Sequence, residues 1–384
     1  MAAMAISARG LNRSTLARQL LLEREPLDVV DAVRRVVALQ AQQHASPYLA
    51  LWNRIDGFDP AALDAALAER RLVKATLMRV TLHMVDAEDF GVFREAMEPT
   101  LRSSRLGDAR FRASGIGPEQ AAGAVAGLLE YAGSSRADAE ARAWTAERLG
   151  VPLETSAWRM LRQYAPLWHA PTGGPWSFGP RHTWAGPGTP PRLTDPEAAD
   201  AGLRALLLRY LAGFGPASVA DMARFTTVAR GRVKAAVRAL GPAVEELEGP
   251  EGTVLLDVPG APRPDEDTPA PPRLMAMWDS VLLAHADRGR VIPPAYRSEV
   301  IRVNGDVLPT LLVDGRVAGV WRAVDGGIEA TAFHALPERV WERLAAEAVS
   351  LTALLADRDP LVYRRWDHWW ARGFPAAATR LLPA

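Results

Sequence analysis

Cysteine is absent from all 384 residues, which excludes a disulfide framework, a thiolate metal site and a cysteine nucleophile. Lysine is almost absent. Lys74 and Lys234 stand alone in a basic complement otherwise made of arginine, so an enzyme needing an amine nucleophile has two side chains to choose from. Net charge is missing too, because 45 basic residues balance 45 acidic ones. Such a chain is no general polyanion coat, and any nucleic-acid surface must be a local basic patch. No apolar run approaches the roughly 18 residues that span a bilayer, and Met1 to Leu11 lack the apolar stretch of a signal peptide. The expectation is a cytoplasmic protein with no membrane partner. Walker A, HExxH and GxSxG motifs are all missing, as is any spaced set of metal ligands.

What is there is helical periodicity punctuated by short strands. Leu16 and Leu20, then Val29, Val33, Val36 and Val37, predict two short amphipathic helices. A third opens at Pro47, and Asp59-Pro60 is an N-cap followed by an N1 proline leading into Ala61 to Glu69. Two β-like runs follow, Leu72 to Ala75 and Arg79 to Val85. Helices followed by a two-stranded ribbon is the order of a winged helix, assigned to residues 1–87. The order recurs over 88–192, where Leu167 to Ala170 and Trp176 to His182 flank Pro171-Thr172-Gly173-Gly174-Pro175 as a second wing. It recurs over 193–260 as helices Leu203 to Leu211, Ser218 to Phe225 and Val228 to Leu240, then strands Val244 to Leu247 and Thr253 to Val258. That last wing carries Glu245, Glu246, Glu248, Glu251 and Asp257; phosphate repels such a face, so it reads as structural. A Pro-rich acidic linker, Pro259 to Pro272, leads into 273–384. There Asn304-Gly305, Asp314-Gly315 and Asp325-Gly326 sit between alternating apolar residues, which predicts an antiparallel meander or small β-barrel. A helix from Pro337 to Leu355 and the Trp366-Asp367-His368-Trp369-Trp370 tail complete an α+β chain.

Gln40-Ala41-Gln42-Gln43-His44 falls between the second helix and Pro47, where that helix must end. An exposed helix end favours Lys or Arg, and in a buried one an unpaired amide costs about 1–3 kcal/mol. The amides therefore cap backbone groups or face a ligand, and repeated winged helices make that ligand DNA. His83, within Arg79-Val80-Thr81-Leu82-His83, is a satisfied core histidine or a site residue; His368 among its tryptophans reads as packing. Trp278-Asp279-Ser280 and His285-Ala286-Asp287-Arg288 bring Asp279, His285 and Asp287 together with arginine. They form a loop that meets phosphate, or a buried ion-pair network that anchors it. Arg34 with Arg35, Arg70 and Arg71 with Lys74, and Arg288 with Arg290 are the basic clusters, each a phosphate contact or a solvated face.

In order and over nearly the whole chain, the Gln-Ala-Gln segment, the Arg79 to His83 run, Phe214-Gly215-Pro216-Ala217 and the Trp278 to Arg288 motifs resemble the AlkZ-type DNA glycosylases. These are bacterial winged-helix proteins linked to azinomycin resistance and alkylation repair. The resemblance implies tandem winged helices and a β-barrel in a C-shaped arrangement around a DNA channel. The family's Gln, apolar, Gln active-site motif falls on Gln40, Ala41 and Gln42. A Gln at the second position, where a sister branch has an acid, matches the branch associated with bulky adducts and interstrand crosslinks. The implied reaction is hydrolysis of the N-glycosidic bond of cationic N7-alkylguanine or N3-alkyladenine in double-stranded DNA, in repair or toxin self-resistance. It calls for no cofactor, no metal and no obligate protein partner. Base release without strand cleavage is expected, since Lys74 and Lys234 read as scaffold or phosphate contacts. The alternatives are a non-catalytic winged-helix regulator, and a drug-binding protein that uses Trp176, Trp184 and the terminal tryptophans.

Overall fold

Helices form where the sequence supplies their caps. In the computed structural model, which describes residues 5–383, the Asp28 side chain accepts from Val30 N and opens the helix Val29–Arg35. Asp59 does the same for Pro60–Ala68 and Asp195 for Pro196–Phe214. Ser218 and Asp221 cap each other's backbone at the start of Val219–Thr226. Met1–Met4 of the predicted leaderless N-terminus, and Ala384, lie outside the described residues.

The glutamine segment departs from its expected setting. Val29–Arg35 stops at Val36, Val37 turns left-handed at φ 74°, and the chain then runs extended. Leu39–Gln40 is strand β1, not a helix end. It joins β2 (Leu72–Thr76), β3 (Leu82–Asp86), β4 (Arg136–Ala137), β5 (Trp168–His169) and β6 (Thr183–Ala185) in one sheet of order β1-β3-β2-β5-β6-β4. Strands assigned to two separate units by the sequence thus share a single sheet, with β1 at its edge. Two further differences arise here. Arg79 lies in the tight turn Met78–Val80 before β3 rather than in the strand. The stretch 176–182 is loop, and the second wing's return strand starts only at Thr183.

The alternation of the strands divides the core. Leu39 and Met84 face one apolar cluster, with the helix Ser46–Trp52 and residues of 274–355, while Ala38, Val73, Ala75 and Val85 face a second built from the helices between 90 and 236. The acidic wing forms as expected from β7 (Glu245–Glu248) and β8 (Val254–Asp257). Residues 273–384 contain β9 (Arg273–Leu274), β10 (Thr310–Val313), β11 (Arg316–Val324), β12 (Gly327–Ala332) and β13 (Ala378–Pro383). They pair in the order β13-β12-β11-β10-β9. This sheet is open, so the predicted closed barrel does not form. The helix Glu338–Ala356 lies against β9, β12 and β13 and buries Trp341, Leu344, Ala348, Leu351 and Leu355. A helix covers the face that barrel closure would have folded inward. Asp314-Gly315 and Asp325-Gly326 do turn hairpins; Asn304-Gly305 turns only between the isolated bridge of Ile301 and Val307. No described helix is long and apolar enough to cross a membrane.

Candidate active site at the edge of the shared sheet

β1 is two residues long and leaves one side of its backbone open. Ser280 closes it. Its Oγ donates to Ala38 O at 3.0 Å and accepts from Gln40 N at 3.2 Å, occupying the unpaired groups of an edge strand. Ser280 is fixed by its neighbour. Asp279 caps the turn Ser280–Leu282 and makes a bidentate ion pair with Arg54 at 2.8 and 2.9 Å, both side chains fully buried.

On the β3 side, Gln40 pairs in register with His83. The Gln40 side chain, in a residue only 5 % exposed, accepts through Oε1 from Arg79 Nη2, which also donates to His83 Nε2 at 3.1 Å. His83 Nδ1 donates to Thr81 O at 3.1 Å, so the proton sits on Nδ1 and Nε2 is the acceptor. Burial, and then the Arg79 charge, hold the imidazole neutral and well below its ordinary pKa. Arg79 reaches this position through strained backbone: Arg79 and Val80 have φ of 52° and 56°, and a β-branched residue in that region is an outlier. Burial pushes the guanidinium down to about 10, which leaves it charged at neutral pH.

Gln42 lies two residues on, past the buried Ala41 whose N–H bonds Leu82 O at 2.8 Å. It is exposed, and its Oε1 accepts from Leu82 N at 3.2 Å. Each amide oxygen therefore has one fixed donor and one lone pair left over. Gln42 thus caps a backbone group, one of the two expectations for the motif, whereas Gln40 is held by a side chain. Gln42 opens into a cleft of about 880 Å³ whose lining includes His44, Phe178, Asp325, Arg364 and Trp366. One wall, the loop 171–180, is pinned by Ser177, which donates to Asp64 at 2.6 Å and meets the Tyr48 hydroxyl at 2.6 Å; Arg358 holds the other Asp64 oxygen at 2.7 Å. His44 Nδ1 meets Phe178 O at 2.6 Å, and burial pushes its pKa down to about 4.

The other predicted residues fall into distinct settings. Asp279 is the buried anchor just described. His285 is buried against Phe214 O at 3.0 Å and pushed down to about 3 by burial and then Arg290. Asp287 caps Arg288–Arg290 through Gly289 N at 2.8 Å. Arg290 turns inward to Pro216 O at 2.8 Å and Thr15 Oγ1 at 3.1 Å. Arg288 has no ion-pair partner among the described residues. Arg34 is paired with Asp86, Asp31 and Glu88, Arg35 with Glu25, and Arg71 with Glu69 and Asp28. Arg70 is exposed beside the cavity under β5. Lys74 is 1 % exposed, 4.4 Å from the Phe178 ring centroid, with its pKa pushed down to about 7 by burial. Trp176 and Trp184 are core residues. Sequence reasoning missed Ser280 and Arg79 as site residues, although both stand inside motifs it singled out. Arg364 and Arg365, on the cleft wall, gave no signal beyond being basic.

The site is thus a side-chain amide held at a sheet edge by an arginine, next to a second amide open to a cleft. The model of the AlkZ-like DNA glycosylases matches residues 33–354; the chain belongs to that family and is of the DNA glycosylase class. Among relatives, an interstrand DNA cross-link repair glycosylase of Streptomyces sahachiroi is 28 % identical over 367 residues, covering 86 % of this chain and 92 % of the relative. The solved structure of the Streptomyces sahachiroi DNA glycosylase AlkZ matches with a TM-score of 0.77 at 22 % identity, over 92 % of this chain and 98 % of that one. That likeness establishes the shared fold.

Proposed function

We propose that this protein is a monofunctional glycosylase that hydrolyses the N-glycosidic bond of cationic N7-alkylguanine and N3-alkyladenine in duplex DNA, bulky adducts and interstrand crosslinks included. Gln40 and Gln42 are its catalytic pair. The observation that carries this reading is the pair of amide oxygens, each oriented by one donor and each with a lone pair to spare. An ordinary glycosidic bond needs an acid to protonate the leaving group. A purine alkylated at N7 or N3 already carries positive charge and departs without one. What remains is to hold water against the sugar and to face the oxocarbenium-like transition state with oxygen dipoles. Gln42, open to the cleft, accepts from the water; Gln40, locked by Arg79, fixes the sugar-facing side. Amides are weaker than a carboxylate, which confines the chemistry to activated lesions.

The relative's named role in cross-link repair supports the extension to bulky substrates, because an open cleft does not demand that the adduct be extruded into a closed pocket. In this reading residues 1–87, 88–192 and 193–260 act as winged-helix units framing the duplex, and DNA is the sole partner. Release of base leaves the strand intact, since Lys74 is enclosed and Lys234 lies on the helix Arg230–Leu240, whose first turns carry no glutamine-site residue.

The test is a duplex with one N7-methylguanine, and a second with an N7-linked crosslink, assayed for released base and abasic sites. Gln40→Ala and Gln42→Ala should each lower the rate by ~10²-fold, within the ~10²–10⁴ typical of a proton-handling side chain, while binding persists. Unchanged turnover in the double variant would sink the assignment. Tight binding to one sequence with no base release would favour a regulator instead.

A further inference from the structure

Arg79 stands beside Gln40, and two further arginines lie on elements packed around its turn: the helix Val219–Thr226 lies against Met78–Val80, and its Asp221 accepts from Ala286 N just ahead of Arg288. Arg79 lies over the Phe225 ring at 5.5 Å from its centroid, on the helix Val219–Thr226 that also carries exposed Arg224. Arg288, 8 % exposed, comes from the turn Arg288–Arg290. Among the described residues no carboxylate stands in ion-pair contact with any of the three. Their charges reach one another: Arg288 and Arg224 both lower the pKa of Arg79, and Arg224 that of Arg288, after the larger effect of burial.

The acids at hand are committed elsewhere. Asp221, on the same helix as Arg224, accepts from Ser218 N, Ser218 Oγ and Ala286 N. Asp287 caps its own turn. Arg79 Nη2 is taken by Gln40 and His83, but its Nη1 is buried and has no partner. A buried donor without an acceptor is costly, and like charges held together add to that cost. Both penalties vanish when an anion with several oxygens enters. The two left-handed residues, Arg79 and Val80, are strain spent on placing this guanidinium.

We propose that Arg79, Arg224 and Arg288 bind one backbone phosphate of the duplex, the phosphate flanking the nucleotide whose sugar faces Gln40. The inference rests on duplex DNA being the substrate. Guanidinium forks match phosphate oxygens in geometry as well as charge. Because Arg79 holds Gln40 with one nitrogen and offers the other to the phosphate, seating the backbone also aligns the amide.

Full-length protein is titrated against a duplex bearing a hydrolysis-resistant 2′-fluoro N7-methylguanosine, with one neutral methylphosphonate placed in turn at each position around the lesion. One flanking position should weaken wild-type binding by about tenfold. The same replacement should have no further effect in Arg288→Gln or Arg224→Gln, and each variant should flatten the slope of log K against log salt by about one. Arg224 is exposed, so its variant serves if Arg288→Gln fails to fold. Additive losses, unchanged salt slopes, or a wild type indifferent to every flanking phosphate would each overturn the proposal. Saturable competition by inorganic phosphate at constant ionic strength, without a methylphosphonate effect, would assign a free anion and overturn it too. A wild type that shows the flanking-phosphate effect yet releases no base would leave this site standing and remove the enzymatic reading.

Discussion

Gln40 and Gln42 do not titrate, and the imidazole linked to Gln40 through Arg79 stays neutral because burial and the guanidinium both oppose its protonation. The single-turnover excision rate at saturating enzyme should therefore be flat from pH 6 to 8 within about twofold; a bell or a single steep limb would point to an acid or base in place of the amides. Arg79→Leu removes the donor that orients Gln40 while leaving Gln42 alone. Misplacement of a catalytic group by an ångström typically costs ~10²-fold, and a loss of that size in the chemical step, with duplex affinity falling less, is the expected pattern. Lys74 offers a different check. Its folded pKa of about 7 lies below the ordinary lysine value, so between pH 7 and 10.5 the unfolded chain binds the extra proton and its contribution to stability rises with pH. Lys74→Met should raise the melting temperature near pH 7 and flatten that rise, a difference on the order of 4 kcal/mol across the interval. Equal pH dependence in the two proteins would contradict it.

At the scale of elements, the site depends on a two-residue strand that could not hold itself. β1 owes its outer hydrogen bonds to Ser280, and Ser280 owes its place to the Arg54–Asp279 pair. Ser280→Ala should cost only about 1 kcal/mol of stability, yet slow excision by freeing the Gln40 backbone. Asp279→Ala leaves a buried arginine without its partner and should cost about 3–5 kcal/mol, seen as a large drop in the denaturant midpoint. If both variants lost stability and activity in the same proportion, the serine would be a simple structural contact. Much of this was legible beforehand. Asp59-Pro60, the Asp314-Gly315 and Asp325-Gly326 turns and the helix after Pro337 are local signals, and each appears within a residue or two of its expected place. The edge strand was not legible, because its pairing with β3 is made across more than forty residues and two residues carry no period.

Among the described residues, two ion pairs with both partners fully buried, Arg54–Asp279 and Arg18–Asp257, join distant segments. Arg18, near the N-terminus, forks onto Asp257 of β8 at 2.6 and 2.8 Å and also reaches Leu211 O at 2.8 Å. It fastens the acidic hairpin to the first helix. Asp257→Asn should lower the melting temperature through loss of the charge that compensates Arg18, a destabilisation of about 3–5 kcal/mol, while leaving the salt slope of DNA binding unchanged. A change in that slope would instead put the acidic hairpin near the duplex. The molecule as a whole carries no net charge, so a surface attractive to phosphate has to be local, and it depends on which arginines the fold leaves without acidic partners.

Which arginines those are, composition could not say. The sequence by itself determined most helices and the Asp-Gly hairpin turns, because caps, turn dipeptides and apolar spacing act over a few residues. Only the tertiary structure decided that the second motif residue opens into a cleft while the first is locked by Arg79, that Arg34 and Arg71 are matched by acids, and that Arg79, Arg224 and Arg288 are not. The reason is physical: ion pairing, burial and an open sheet edge are properties of segments brought together from far apart in the chain.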